Sequence, residues 1–354
     1  MATATVAILS PGEMGAGIAR LLRAYNFRII TSNSGRRPSA TAYDSYTTDR
    51  AAACQIEFVS SDVDLINQAD FILSVVPPSE SLPTARRVGY AYTYVARGNK
   101  PPLYFIDLNA TSPGLAERIE EVFARPGIIS TGVRFVDGAI LGAPPEYVQT
   151  AENPGGAWRK PRIVVSGPER LVGEAGQRLE EALGLKWVGD RVGQASGLKM
   201  CFASLTKGLN GLAIQSFTTA ANLSLLPELK EEISAYFPSL LDFLEKSVPA
   251  TPPKAYRCVR EMEEIADTHS QTGFSRAVFS GIAEVYRGVA QDDELGKERF
   301  DSRSRGTTVE DFAECIREGL SRKEEENNRA NAAAAGKEWI QQPPGRAVER
   351  MLVD

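Results

Sequence analysis

Gly193–Leu212 reads GQASGLKMCFASLTKGLNGL, and the rest of the chain falls into place around it. Its small residues and spacing predict the start of a long helix that carries Lys199 and Lys207. Upstream, short apolar runs alternate with helical patterns; downstream, almost every pattern is helical. The stretch therefore joins an α/β part to an all-α part, and ligand clefts favour such joints. On a helix the two lysines lie within about 80° of each other around the axis and about 12 Å apart along it. Two readings are open here. Both lysines are solvated, as lysines almost always are, or one is a catalytic lysine at a domain cleft.

Composition narrows the choice. The 354 residues suffice for two domains, and 43% hydrophobic with 24% charged residues is a globular balance. A net charge of −5 argues against nucleic acid as a partner. The four cysteines are scattered with no CxxC pair, which fits reduced thiols in a cytoplasmic protein better than disulfides or a zinc site. No apolar run approaches the ~20 residues of a membrane span, and a strand begins too early to leave room for a signal peptide. The one histidine, His269, rules out a multi-histidine metal site, and no metal is expected. His269 itself reads as an ordinary surface or helix-end residue.

Working back to the N-terminus, Thr5–Leu9 (TVAIL) reads as a buried parallel strand. Ser10-Pro11-Gly12-Glu13-Met14-Gly15 follows, then the helical pattern of Ala16–Tyr25. Strand, glycine turn and helix make the setting a dinucleotide fingerprint requires, although Ser10 stands where the first glycine usually is. Gly12 lets the backbone approach a pyrophosphate, Gly15 lets the helix pack on the strand, and the helix N-terminus favours the phosphates. Phe27–Thr31 is the second strand. An NAD site places an acid about 20 residues past the glycines, yet Met14–Tyr43 contains none. The loop there offers Asn33, Ser34, Arg36 and Arg37, which suit the 2′-phosphate of NADP(H).

Further strands are expected at Ile56–Val59, Asp70–Val76, Leu103–Asp107, Arg134–Leu141, Arg162–Ser166 and Lys186–Gly189. The helices between them include Asp62–Gln68, with Asp62 as N-cap, and one opened by Ser112-Pro113. Ala143–Pro161 is a Pro/Gly-rich loop long enough for a lid or insertion. Helices are then expected at Gly193–Leu223, Leu226–Lys246, Pro253–Thr268, Ser275–Ala290 and Thr307–Leu320. The predicted fold is α/β, with an N-terminal Rossmann-type doubly wound sheet over 1–190. A long interdomain helix joins it to an all-α domain over 191–320, and the polar 321–354 is a helical extension followed by a tail.

Four blocks in order resemble the β-hydroxyacid dehydrogenase superfamily, which includes 6-phosphogluconate and 3-hydroxyisobutyrate dehydrogenases and imine reductases. Ser10–Gly15 resembles the GxGxMG turn. Asp107–Pro113 (DLNATSP) is similar to DxSTxxP, Asp137–Ala143 (DGAILGA) to the substrate-contacting DAPVSGG, and Gly193–Lys199 to GxGxxxK. The second half looks most like a 6-phosphogluconate dehydrogenase-like branch with a distinctive C-terminal domain. The resemblance implies NADP(H) bound by Ser10, Pro11, Gly12, Glu13, Met14, Val76, Pro77 and Asn109 with the 33–37 loop. It implies Lys199 as general acid/base, and a substrate near Leu141, Gly142, Ala143, Phe202, Ala203 and Arg260. It also implies a homodimer with intertwined helical domains, in which Arg257, Arg260, Glu261 and Glu264 enter the cleft from the partner chain.

The departures fall in the substrate blocks. Phe202 and Ala203 replace the family's amides, Leu141 replaces a serine, and Asn109-Ala110 replaces Ser-Thr. Lys199 is kept, whereas imine reductases usually replace it. The expected activity is NADPH-dependent hydride transfer on a small-molecule carbonyl or alcohol, in a pocket more apolar than that of the sugar-acid enzymes. The alternatives are an imine reductase or reductive aminase, and a non-catalytic NADP(H)-binding sensor.

Overall fold

The computed structural model describes residues 3–32, 51–95, 97–98, 100–125, 132–150, 153–299 and 302–334. These fall into two compact units, one from Met1–Lys207 with Arg260–Ser280, the other from Gly208–Val259 with Gly281–Asp354.

The first unit is built on eight strands. These are β1 (Thr5–Leu9), β2 (Arg28–Ser32), β3 (Glu57–Val59), β4 (Phe71–Ser74), β5 (Leu103–Asp107), β6 (Val133–Leu141), and the later pair Arg162–Ser166 and Leu185–Gly189. A hairpin of Glu146–Val148 (β7) and Ala157–Arg159 (β8) comes between, so the later pair are β9 and β10. The sheet order is β10-β9-β6-β5-β4-β1-β2-β3. The chain runs outward from β1 to β3, then returns to β4 on the other side of β1. Strand order reverses there, and ligands of open α/β sheets settle outside the carboxyl ends at such a point. The flank departs from an all-parallel sheet: β9 pairs antiparallel with β6, and β10 lies parallel to β9.

The strands read as unbroken apolar runs because helices cover both faces. Val6, Ile8 and Ile29 face one way, against Ile18, Leu21 and Leu22 of α1 (Glu13–Ala24). Ala7, Leu9 and Ile30 face the other, against Leu65 of α2 (Asp62–Gln68) and Val88 of α3 (Ser81–Tyr92). Ile119 and Phe123 of α4 (Pro113–Phe123) join the second face, and Leu179 of α5 (Gly173–Leu183) the first. The cap of α2 is Ser61, whose side chain accepts from the Asp64 amide at 3.0 Å, so Asp62 is the first helical residue instead.

The 143–161 segment, expected as a lid or insertion, carries a hairpin fixed to α1. Trp158 packs on the core edge-to-face with Tyr147, their centroids 5.5 Å apart. Lys160 Nζ donates to Tyr25 Oη at 3.0 Å. Pro144 and Pro145 lie so close to Gly17 that a Cβ there would stand 3.0 Å from Pro145 Cδ.

The expected helix of 193–223 is not uniform. It consists of α6 (Gln194–Ala203), a π-helical turn over Ser204–Gly208, and α7 (Leu209–Asn222). Two hydroxyls serve carbonyls around the turn, Ser204 Oγ donating to Met200 O at 2.8 Å and Thr206 Oγ1 to Phe202 O at 3.1 Å. α6 packs on β6, β9 and β10.

In the second unit, Pro238 splits the expected Leu226–Lys246 helix into α8 (Leu226–Tyr236) and α9 (Pro238–Ser247). Pro is tolerated in a first turn but not inside a helix. α10 (Ala255–Gln271), which from Arg260 on belongs to the first unit, α11 (Ala277–Ala290) and α12 (Val309–Ala334) follow. α12 carries the polar residues 321–334 in helix, continuing past Leu320. Within this unit Asn210 forms a buried knot, donating to Thr251 Oγ1 at 3.0 Å and Tyr286 Oη at 3.2 Å while accepting from Ser247 Oγ at 2.6 Å. A Cβ on Gly211 would lie 2.4 Å from Ile282 Cγ2, so α7 and α11 meet closely at that point.

Candidate active site

The site assembles from three junctions at the carboxyl side of the sheet in the first unit. At the first, β1 turns into α1. Ser10 takes a left-handed backbone with φ 67°, the conformation that explains glycine at this place in most fingerprints. A Cβ on Gly15 would stand 2.7 Å from Ser10 O, so only glycine lets α1 pack this close. Gly12 is different: a Cβ there meets nothing within 4 Å. No side chain caps α1, and Glu13 and Met14 follow Gly12 in its first turn. The turn is a cradle of backbone amides at the positive end of a helix dipole, open on its ligand side.

At the second junction Asn109 ties the ends of β4 and β5 together. Its Oδ1 accepts from the Val76 amide at 2.7 Å, and its Nδ2 donates to Ser74 Oγ at 2.9 Å and to Asp107 Oδ1. Asn109 thus positions Val76 and Pro77, with its own amide fully engaged. Asp107 is buried, and its Oδ2 has no partner among the described residues. Burial, reinforced by the nearby charge of Asp137, pushes its carboxyl up to about 7 against the hydrogen bonds of Ser74 and Asn109.

The third junction holds the lysine helix. Asp137, fully buried at the middle of β6, receives the N-terminus of α6. Its Oδ2 accepts from the amides of Gly193 (2.9 Å), Ala195 (3.1 Å) and Ser196 (3.2 Å) and from Ser166 Oγ (2.8 Å). Its Oδ1 accepts from Ser196 Oγ at 2.6 Å. Gly193, with φ 90°, sits against Pro113 at the start of α4, and Thr111 Oγ1 lies 3.2 Å from Ser196 Oγ. A carboxylate on a helix N-terminus makes strong charge-assisted bonds, so α6 is fixed to the sheet at its root.

Less than two turns on, Lys199 bends back to the sheet, and its Nζ donates to Ile140 O at 2.8 Å beside Leu141. Burial pulls its ammonium down to about 8, the positive charge of Lys207 adds to the effect, and Glu261 opposes it. Lys207 pairs with Glu261 of α10. On the same helix Glu264 is buried, accepting from the Ser112 amide at 2.9 Å and from Arg260 Nη2 at 2.6 Å. Ser204 Oγ lies 2.8 Å from His269 Nε2, and the His269 ring stacks on Phe279 at 4.9 Å. His269 is therefore half-buried and engaged near a helix end, more than a plain surface residue.

Of the residues named from sequence, Ser10 to Met14, Val76, Pro77 and Asn109 lie at the first two junctions, and Lys199 with Leu141 at the third. Gly142 and Ala143 are exposed just beyond β6; Phe202 is half exposed, and Ala203 is buried at the end of α6. Arg260 is held by Glu263 and Glu264 of its own helix. Asn33, Ser34, Arg36 and Arg37 lie outside the described residues. Glu261 and Glu264, expected from a partner chain, reach Lys207 and Ser112 of the same chain. Asp137 enters the sequence reading only as the first residue of the Asp137–Ala143 block, without its role as the anchor of α6. The signal for Asp137 was a lone acid inside the apolar strand VRFVDGAIL, which needs donors to be buried.

Residues 220–289 match the model of a domain of unknown function, DUF1932. An uncharacterized 28.5 kDa protein of Methanothermus fervidus, encoded in a 7S RNA 5′ region, is 27% identical over 172 residues, 48% of this chain and 55% of that protein. The chain thus spans little more than half the length of that curated relative. Among solved structures, a conserved hypothetical protein from Sinorhizobium meliloti 1021 is 23% identical, covering 90% of this chain and 97% of that one with a TM-score of 0.58. A conserved protein of unknown function, described as structurally similar to 3-hydroxyacid dehydrogenases, is 23% identical over 83% of this chain and 100% of its own, with a TM-score of 0.54. A 3-hydroxyisobutyrate dehydrogenase from Salmonella typhimurium is 15% identical over 88% and 99%, with a TM-score of 0.55. The chain has the fold of the 3-hydroxyacid dehydrogenase-like proteins. Among the described residues no helix is long and apolar enough to cross a membrane.

Proposed function

We propose that this chain is an NADPH-dependent oxidoreductase acting on a carbonyl or alcohol, with Lys199 as its proton donor and acceptor. The observation that carries the reading is Lys199 itself. A lysine drawn out of water, anchored to a sheet carbonyl and lowered to about 8 holds its proton at neutral pH and can release it. The turn at Ser10–Met14 fits a dinucleotide: Gly12 faces open space and α1 has no cap of its own. A bound nicotinamide supplies or takes the hydride. The chain contributes the rest. The amides of α1 orient the pyrophosphate, Arg36 and Arg37 bind the 2′-phosphate, and Asp137 keeps α6 rooted. Lys199 gives its proton to the carbonyl oxygen in reduction, or takes the alcohol proton in the reverse direction.

Leu141 beside the lysine and Phe202 on α6 favour a substrate with apolar surface. A sugar carboxylate would lack donors there, at a cost of a few kcal/mol. We also read the protein as a homodimer. Exposed Leu212, Leu223 and Leu225 line a groove of about 610 Å³ on α7 and α8, apolar surface of the kind that partners cover.

The test is NADPH consumption against aldehydes, ketones, keto acids and cyclic imines, for wild type and Lys199→Met. The variant is expected to bind NADPH normally and to lose roughly 10²-fold or more in turnover. Full imine reduction by Lys199→Met would replace this reading with an imine reductase that uses another donor. Binding of NADPH with no turnover of any substrate would favour a sensor.

A further inference from the structure

The π turn changes which way Lys207 points. A π-helical turn takes up one residue more than an α turn. Eight residues from Lys199 to Lys207 therefore advance as seven α-helical residues would, about 700°, and the two lysines end about 20° apart instead of about 80°. Lys207 is thus returned to the face of Lys199, where Glu261 of α10 pairs with it. Glu261 is buried, while the Lys207 side chain is about one-third exposed.

We propose that Lys207 is a positioning residue: the Lys207–Glu261 pair, set over Lys199 by the π turn, governs how readily Lys199 gives up its proton. The charges around this ammonium are arranged for it. From β6, Lys199 meets the neutral carbonyl of Ile140. At the root of α6, Asp137 is taken up by amides and hydroxyls. From the π turn comes Lys207, and from α10 Glu261, with Arg260 paired to Glu263 and Glu264. His269 is held by Ser204. Two opposite charges therefore act on one ammonium in opposite directions, Lys207 favouring loss of the proton and Glu261 its retention. Neither touches the reacting atoms. The consequence for catalysis rests on Lys199 being the proton donor, but the tuning itself does not.

The experiment reads the lysine without a substrate. The full chain is exposed to a trace of acetic anhydride across a pH series, and acetylation at Lys199 is quantified by mass spectrometry, since only the neutral amine reacts. Wild type is expected to show a midpoint near 8. Lys207→Met should raise it by roughly half a unit to one unit, and Glu261→Gln should lower it by a similar amount. Lys207→Arg should leave it in place, and the double variant Lys207→Met/Glu261→Gln should return toward wild type. A variant that merely unfolds would move Lys199 up toward the ordinary lysine value of 10.5, the reverse of the Glu261→Gln shift. The proposal is overturned if Lys207→Met leaves the midpoint unmoved, or if Glu261→Gln raises it. Loss of activity in the carbonyl screen with these shifts intact would overturn the proposed reaction and leave the tuning standing.

Discussion

α1 and α6 begin alike and end up doing different work. Each opens on a glycine past the carboxyl end of a strand, Gly12 after β1 and Gly193 after β10, and neither is capped by a side chain of its own first residue. Around Gly12 there is open space. Around Gly193 there is Asp137, already bonded to three amides of the helix. A helix N-terminus attracts an anion. In α1 the place is left for an anion from outside, and in α6 the protein supplies its own. The first arrangement suits binding a phosphate that comes and goes; the second suits holding a lysine still.

The comparison is broken most forcefully at Asp137. Asp137→Ala strands the Gly193 and Ser196 amides in a buried site, each at about 1–3 kcal/mol, while the Ala195 amide keeps Ser166 Oγ, so urea denaturation should show a loss of roughly 3 kcal/mol or more. Glu13→Ala, the exposed acid in the first turn of α1, should cost under about 1 kcal/mol. Similar losses at the two helices would end the contrast. The glycines sharpen it. Gly193→Ala places a side chain at φ 90° with Cβ 3.1 Å from Pro113 Cβ, and should lower stability by about 1–3 kcal/mol. Gly12→Ala should cost about 0.5 kcal/mol in stability while raising the Kd for NADPH, because its Cβ enters the space a pyrophosphate would use. An unchanged Kd would mean the turn does not bind the dinucleotide.

A further expected effect is a slope. Asp107 shares the buried floor with Asp137, and its carboxyl is raised from 3.8 to about 7 in the folded chain. Between those values the folded state keeps a proton that the unfolded state has released, so this group's contribution to stability falls as pH rises from about 4 to about 7 and is level above. Asp107→Asn, which mimics the protonated form, should remove that part of the slope. Urea midpoints at pH 5 and pH 8 test it: wild type should lose more on going to pH 8 than the variant does.

Much of this architecture was legible in the sequence because it rests on local rules. TVAIL followed by Gly12 and Gly15 could hardly be anything but strand, turn and helix, and the parallel strands announce themselves as unbroken apolar runs. Lys199 stood out through its block. What escaped depends on partners distant in sequence. Nothing near Asp137 says that its donors arrive 29 to 59 residues later, and the reversed direction of β9 is a matter of pairing, which composition does not encode. Pro238 was visible, but a continuous helical period hid the break it causes. The π turn left only a faint trace in Ser204 and Thr206, hydroxyls of the kind that bond backward to the preceding turn.

That turn has the form of an inserted residue in an otherwise regular helix. A chain with one residue fewer between Ala203 and Gly208 would close the hydrogen-bond ladder as ordinary α-helix and keep Lys199 where it stands. The second lysine, then seven α-helical residues after the first, would still stand about 20° from it around the axis. Loss of a single codon within the turn would therefore leave the second lysine on the face of Lys199, and the proposed pairing with Glu261 within reach.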